Sequence, residues 1–379
     1  MNVLSKGLPA RSCRFPKKRV SFFKKRLPRK NSLGKRDPNK DLLVERLRST
    51  PTSAWSPLHW RILNWTFRHW FGPPIGRRIY QKKYVDSIGD FRAEVLNEIP
   101  DPQSEPVLFL ANHQSYMDSL LVGSTIYHFT GVVPFYMTST KHTQKFPLGA
   151  VIRWAGAIPF DRDHQKLRHD RDHLFNQLVK FYNLLKCGHS LVIFPEGTTP
   201  GGVDIGGDGV GKLLSEVFAE TGMLSIPPFI LQLALAAEVK IVLIGLSGTG
   251  KLLPHEVAPD RLVEPNNPKD HTVLVRLKDW GTVEENLRKL TPDTQEKPLS
   301  QRIKWLTRQR LTYDLRDLVD SSLYQFPIES FPMTEQDFRV RLHYEREFIA
   351  PKILDPERRR RYLQRVDSSE ANINNMFPT

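Results

Sequence analysis

One histidine and one aspartate have the types and spacing of a proton-transfer pair. His113 and Asp118 are five residues apart, between the apolar runs 107–111 and 120–122. On a helix they would lie about 140° apart, so they can meet only where a strand end turns into a helix. There Asp118 could hold one ring nitrogen and leave the other to act as a general base. Spacing alone is not specific, because His255 and Asp260 share it in a proline-flanked stretch that indicates a loop.

Two further blocks follow within 90 residues. The second runs from Lys141 to Arg162 and ends in Gly156-Ala157-Ile158-Pro159-Phe160-Asp161-Arg162, and the third is Phe194-Pro195-Glu196-Gly197-Thr198-Thr199. With the Asn-His and Asp of the first block, their order and separation resemble those of the glycerolipid acyltransferases, the family of 1-acylglycerol-3-phosphate O-acyltransferases. The resemblance covers about residues 100–280.

The resemblance implies a role for each block. His113 would be the base, and Asp118 would hold its tautomer and stabilise the imidazolium. Arg162 would bind the acceptor's phosphate, since a guanidinium can bind two oxygens at once. Lys141 is a second candidate for that role. The alternative for Arg162 is an ion pair with a neighbouring aspartate.

The third block, by the same resemblance, binds the glycerol phosphate through Glu196, Gly197 and Thr198. A carboxylate repels a phosphate, so we expect Glu196 to accept from an acceptor hydroxyl, Arg162 or Lys141. Gly197 allows a close backbone approach, and Thr198 offers a hydroxyl and an amide.

The implied activity is transfer of a fatty acyl group from acyl-CoA or acyl carrier protein to a hydroxyl of a glycerophospholipid precursor. Lysophosphatidic acid, giving phosphatidic acid, is the first expectation, and glycerol 3-phosphate or another lysolipid is the alternative. A thioester has a good leaving group, so a covalent acyl-enzyme through Ser115 is not expected. No cofactor and no metal are expected. A glycine-rich stretch, 201–209, departs from the family pattern and bears on the substrate rather than the reaction.

Two readings from other classes compete. Gly245 to Lys251 has the spacing of a phosphate-binding loop, but Leu252 stands where Ser or Thr should bind Mg²⁺, and Pro254 opposes the helix that should follow. A second match, Gly206 to Lys212, is also followed by leucine. The other reading is a non-catalytic lipid-binding module with the same fold.

The net charge of +15 is concentrated at one end of the chain. Residues 1–36 hold 13 Lys and Arg and no Asp or Glu, so the rest of the chain carries only +2. This distribution argues against a nucleic-acid partner for the folded part. The basic segment is predicted to be a disordered arm, an organelle-targeting segment or a patch attracted to anionic lipid.

Residues 51–72 hold four of the seven tryptophans, on a predicted helix that is apolar around most of its circumference. Such a helix suits a membrane interface, and its alternative is docking on the domain's own core. With no apolar run of about 20 residues, no spanning helix is expected. We therefore predict a peripheral, monotopic protein on the cytoplasmic face of a membrane, with a lysolipid acceptor as partner; organelle targeting is the alternative.

Strand and helix patterns alternate after residue 100, which predicts an α/β fold with helices covering a central sheet. The resemblance to the glycerolipid acyltransferases implies that this central sheet is mixed and flanked by helices. Four segments are expected: a basic tail over 1–50, a membrane-associating helical segment over 51–99, the acyltransferase domain over 100–280, and a charged helical extension over 281–379. A connecting helix is expected over 80–99, and an amphipathic helix packed on the domain over 299–323. The strand order is not predicted. Predicted strands and helices are, in order, 107–111, 119–129, 132–137, 146–155, 157–160, 164–186, 190–194, 230–237, 240–246 and 272–277.

Overall fold

The computed structural model describes residues 41–51, 88–115, 118–144, 148–154, 156–161, 170–196, 223, 226–252, 271–323, 334–353 and 355–376. The predicted basic tail up to residue 40, the predicted tryptophan-rich helix and the glycine-rich stretch at 201–209 lie outside these residues.

Seven strands form one sheet in the order β1-β7-β6-β2-β5-β3-β4. Strands β2 to β6 are mutually parallel; β7 is antiparallel to β6, and β1 is parallel to β7. All six strands predicted from the sequence are present, and the mixed sheet is confirmed. The strands are β1 (Asp90–Val95), β2 (Val107–Ala111), β3 (Phe135–Ser139), β4 (Ala157–Phe160), β5 (Leu191–Ile193), β6 (Lys240–Ser247) and β7 (Thr272–Thr282).

Helices cover both faces of the sheet, and every helix predicted between residues 100 and 240 is present in the described residues. The helices are α1 (Leu42–Arg48), α2 (Asp118–Thr130), α3 (Thr140–Gln144), α4 (Leu148–Trp154), α5 (Arg171–Lys186), α6 (Phe229–Ala237), α7 (Thr249–Leu252), α8 (Val283–Arg288), α9 (Pro292–Gln295), α10 (Leu299–Leu306), α11 (Thr312–Arg316), α12 (Glu335–Tyr344) and α13 (Pro356–Met376). Shorter turns are the π-helices Thr307–Leu311 and Glu345–Ile349 and the 3₁₀ turns Ser321–Leu323 and Ala350–Lys352.

Strand β2 separates two apolar cores. Its residues are all fully buried, and successive side chains point to opposite faces. Leu108 and Leu110 join the core formed with α1, α5, α6, α8 and α10. Val107 and Phe109 join the core formed with α2 and β7. A continuous apolar run is what a parallel strand covered on both sides requires, and this explains why the strand was recognisable from the sequence.

The helix predicted over 80–99 is wrong where the structure describes it, because Asp90–Val95 is the edge strand β1. Apolar Phe91 and Ala93 pack against the second core, and they alternate with Asp90, Arg92 and Glu94. This period of two belongs to a strand with one buried face.

The tail predicted over 1–50 extends too far, because its last ten residues include α1. Asp41 caps this helix by accepting from the backbone N–H groups of Leu43 and Val44, and it also accepts from Gln232 Nε2 at 2.8 Å. Val44 and Leu47 are buried in the first core. The physical reason is amphipathicity: these two apolar side chains, three positions apart, face α5 and α6.

The predicted amphipathic helix at 299–323 is confirmed as α10, a π-helical turn and α11. Ile303, Leu306, Leu311 and Leu315 belong to the same core as β2 and β6, so the core continues beyond residue 280. Helices α12 and α13 pack on each other, and Arg360 and Arg361 lie on the exposed face of α13 beside Glu357. Within the described residues, no helix has the length and apolarity needed to cross a membrane.

Candidate active site

The predicted site residues follow the carboxyl ends of parallel strands, which meet at one edge of the sheet. His113 follows β2 and Glu196 follows β5, the neighbouring strand. Lys141 lies in α3, directly after β3, and Arg162 comes two residues after the end of β4. Ligands of open α/β sheets bind at this edge. The topology therefore brings the described parts of the three sequence blocks to one edge of the sheet.

His113 and Asp118 are in contact. His113 Nδ1 and Asp118 Oδ2 are 2.9 Å apart, and the aspartate side chain is fully buried. The same oxygen accepts the backbone N–H groups of Gln114 at 2.5 Å and Ser115 at 2.7 Å. Because Asp118 is the first residue of α2, the chain makes the strand-to-helix turn that the five-residue spacing required. The catalytic role of the pair stays a prediction.

The contact favours one tautomer of the neutral histidine ring. A carboxylate oxygen can only accept, so Nδ1 is the donor in this contact, and in the neutral ring the lone pair is on Nε2. The ring stacks on Phe194, with 4.4 Å between centroids and 27° between planes. The His113 side chain is 16% exposed. An oriented, partly exposed imidazole whose Nε2 has no partner among the residues that the structure describes is the arrangement that general-base catalysis needs.

Glu196 contacts the main chain of the histidine. Its Oε1 accepts the backbone N–H of His113 at 3.1 Å, and the residue is 9% exposed. The sequence suggested that this carboxylate would accept from an acceptor hydroxyl or a basic side chain. The contact with the His113 N–H joins the end of β5 to the end of β2, and the suggested contacts stay a prediction.

Asn112, the residue before His113, is hydrogen-bonded to the main chain of β6. Its Nδ2 donates to the carbonyl of Leu246 at 3.0 Å, and its Oδ1 accepts the N–H of Leu246 at 2.6 Å. Asn112 is 1% exposed. The side chain thus continues the pairing between β2 and β6 beyond the last residue of β2.

Tyr136 supports the helix that carries the aspartate. The Tyr136 hydroxyl donates to the carbonyl of Ser119 in the first turn of α2 at 2.9 Å, and burial raises the pKa of this phenol. Neither Tyr136 nor Phe194 was assigned a role from the sequence. Phe194 could have been suspected, because an aromatic residue directly follows a strand that ends beside the histidine.

The remaining predicted residues are described only in part. Lys141 lies on α3, whereas Arg162, Gly197 and Thr198 lie outside the described residues. Asp161, a suggested ion-pair partner for Arg162, lies 3.5 Å from His173 Nε2 through its Oδ2. Ser115 is 0% exposed, which argues against presenting its hydroxyl to a substrate. Among the described residues, no cluster of three His, Cys, Asp or Glu side chains could hold a metal.

The segment with phosphate-loop spacing is packed rather than open. Residues 245–250 are buried, and a Cβ at Gly245 would lie 2.6 Å from the Leu318 carbonyl. Gly248 has φ +84°, and a Cβ there would collide with the carbonyl of Thr272. A single helical turn, α7, begins within this segment and ends at Leu252, two residues before Pro254. The glycines therefore serve close packing of β6 against β7 and the residues after α11.

Residues 92–243 match the family model described as Acyltransferase. This part of the chain belongs to the acyltransferase family. The acyltransferase segment begins within β1 and ends within β6, and it contains His113, Asp118 and Glu196. The family expected from the three sequence blocks is thereby confirmed.

A solved structure is also similar to the chain: the 1-acyl-sn-glycerophosphate (LPA) acyltransferase PlsC from Thermotoga maritima. The two share 18% sequence identity. The match covers 66% of this chain and 81% of PlsC, with a TM-score of 0.40.

Proposed function

We propose that this acyltransferase moves a fatty acyl group from acyl-CoA or acyl carrier protein to the hydroxyl of a lysolipid phosphate, with lysophosphatidic acid as acceptor and phosphatidic acid as product. The observation that supports it most is the contact between His113 Nδ1 and the buried carboxylate of Asp118 at the carboxyl edge of the sheet. The sequence blocks around Arg162 and Glu196 support a phosphorylated acceptor. Glycerol 3-phosphate and other lysolipids are the alternative acceptors.

The reaction needs one proton to move twice. His113 Nε2 takes the proton of the acceptor hydroxyl as its oxygen attacks the thioester carbonyl. The tetrahedral intermediate then collapses, the carbon–sulfur bond breaks, and the imidazolium returns the proton to the leaving thiolate. Asp118 stabilises the imidazolium between the two steps because its Oδ2 lies against the ring Nδ1. No acyl-enzyme is formed.

An acyl-transfer assay tests this function. Purified protein is given acyl-CoA or acyl carrier protein with lysophosphatidic acid, glycerol 3-phosphate or a neutral lysolipid, and the acylated product is measured. We expect activity in the wild type and its loss in His113→Ala by at least about 10³-fold. His128→Ala, the same change at an exposed position of α2, is the matched control. Equal activity of wild type and His113→Ala would refute the base assignment, and inactive wild type would favour a lipid-binding module.

We propose further that the protein acts as a peripheral membrane protein on the cytoplasmic face of a membrane, with a lysolipid acceptor as its partner. The basic residues 1–36 and the tryptophans of 51–72 support this, since each basic side chain near an anionic surface contributes about 1 kcal/mol. Sedimentation with vesicles of phosphatidylcholine alone or with phosphatidylserine measures binding. Deletion of 1–36 should weaken binding to the anionic vesicles only. Unchanged binding would contradict attraction of the tail to lipid, and organelle targeting would then be the remaining alternative for this segment.

A further inference from the structure

We infer that the segment Phe194–Glu196 is a positioning element for His113: its glutamate fixes the backbone of the base and its phenylalanine fixes the ring. The inference rests on the proposed function. It assigns Glu196 to the base through the observed contact with the His113 N–H, whereas the sequence blocks implied contact with the acceptor.

The first contact is to the backbone. Glu196 Oε1 accepts the N–H of His113 at 3.1 Å, across 83 residues of sequence. His113 is two residues beyond the end of β2, so its N–H has no strand partner of its own. A carboxylate that accepts a backbone N–H makes a charge-assisted bond, which is stronger than a neutral one. Glu196 is 9% exposed, so water competes weakly for this oxygen.

The second contact is to the ring. Phe194 lies under the imidazole at 4.4 Å and nearly parallel to it. Asp118 holds Nδ1 but leaves the ring free to tilt about that bond. A stacked aromatic face limits the tilt, so that Nε2 points in one direction. Offset stacking of this kind is a favourable arrangement of two rings.

Both contacts come from the three residues that follow β5, and β5 pairs directly with β2. The buried strand pair therefore carries the base and its support as one unit. Misplacement of a catalytic group by about 1 Å can cost 10²-fold in rate. Glu196 and Phe194 would accordingly control kcat rather than the affinity for the acceptor.

Steady-state kinetics of four variants test this assignment. Glu196→Ala should lower kcat about 10²-fold with both KM values within about twofold of wild type. Glu196→Gln keeps an acceptor oxygen and should recover kcat to within about tenfold of wild type. Phe194→Leu should lower kcat about tenfold, and Phe194→Tyr, which keeps the ring, should restore it. A raised acceptor KM with unchanged kcat in Glu196→Ala would overturn the inference, as would equal activity of Glu196→Ala and Glu196→Gln.

Glu105→Ala is the matched control. Glu105, like Glu196, is a glutamate beside a strand end, and it accepts from Lys240 Nζ at 2.7 Å. It comes before β2, at the end of the sheet opposite to His113. Its removal should leave kcat unchanged. Melting temperatures of all variants show which of them fold.

A second measurement does not depend on acyl transfer. Carbethoxylation of His113 by diethyl pyrocarbonate is followed by peptide mass spectrometry, with the exposed His128 as internal reference. Glu196→Ala should raise the rate at His113 relative to His128 on the order of threefold, because the loosened turn opens more often. An unchanged ratio would overturn the inference, whether or not the wild type acylates an acceptor. If the ratio rises but the wild type is inactive, only the proposed function is refuted.

Discussion

Asn112 pairs with the main chain of Leu246 in both directions, through an amide that donates at 3.0 Å and accepts at 2.6 Å. On the opposite end of the sheet, Asn97 makes the same pair of bonds with Asp279, at 3.2 and 2.7 Å. The first pair is buried, whereas the second is exposed. One interaction therefore occurs twice in the fold, in two different dielectric environments.

We expect Asn112→Ala to destabilise the protein by about 2 kcal/mol or more, because it leaves two buried main-chain groups of Leu246 without partners. Asn97→Ala should change the free energy of unfolding by less than about 0.5 kcal/mol, because water replaces the lost bonds. Urea denaturation of both variants measures the difference. Similar losses at the two sites would show that burial does not control the cost.

Asp118→Asn should lower kcat about 10³-fold. The amide keeps one acceptor oxygen for the backbone N–H groups of Gln114 and Ser115, but it loses the charge that stabilises the imidazolium. Steady-state acyl transfer measures the effect, with Asp172→Asn as control, because that aspartate is exposed and pairs with Arg46. A loss of less than tenfold would contradict a role of the carboxylate charge in catalysis.

Leu47→Ala tests whether α1 is part of the domain core. Leu47 is 0% exposed and packs in the core that includes β2 and β6, so its truncation should cost about 2–5 kcal/mol. Leu42→Ala changes the same residue type on the same helix where it is 54% exposed, and should cost less than about 0.5 kcal/mol. Denaturant unfolding compares them. Two small and equal effects would show that α1 does not contribute to the domain core.

Glu285 gives a pH-dependent prediction. Its pKa lies below the usual 4.5, first because it accepts the backbone N–H of Thr282 and then because of the Thr282 hydroxyl and nearby lysines. A lowered pKa in the folded state contributes stability above pH 4.5, and this contribution is lost as the pH falls through the lowered value. Wild type should thus exceed Glu285→Gln in stability at pH 7 and approach it near pH 3. Urea midpoints across that range test the sign, and a gap that widens in acid would contradict it.

The parts of the fold that the sequence predicted are those with a local cause. The run Val107–Ala111 is apolar throughout, and that composition is sufficient to identify a buried parallel strand. Edge strand β1 was missed because its alternation is short and its neighbours are polar. Strand order depends on β7 pairing with β1 about 180 residues earlier in the chain, and no local pattern encodes that pairing.

In the candidate site, too, the features that could be predicted from the sequence are those with a local cause. The types and spacing of His113 and Asp118 restricted the chain to one kind of turn, and the structure has that turn. The contact between Glu196 and the backbone of His113 could not be predicted, because every residue except proline has a backbone N–H and the pattern of side chains does not single out this one. For His113, Asp118 and Glu196, the sequence blocks indicated that the residues converge but not which of their atoms are in contact.

The helices after β7 have a consequence for synthesis on the ribosome. Ile303, Leu306 and Leu315 cover a sheet face whose central strands were translated much earlier, so the nascent chain exposes that face until about residue 318 has emerged. Long-range pairing of this kind folds slowly, and transiently exposed apolar surface attracts chaperones and other chains. A recombinant fragment cut at residue 243, where the family match stops, would keep His113 and Asp118 but lack the helices that cover this face of the sheet. We would expect such a fragment to form inclusion bodies rather than an active protein.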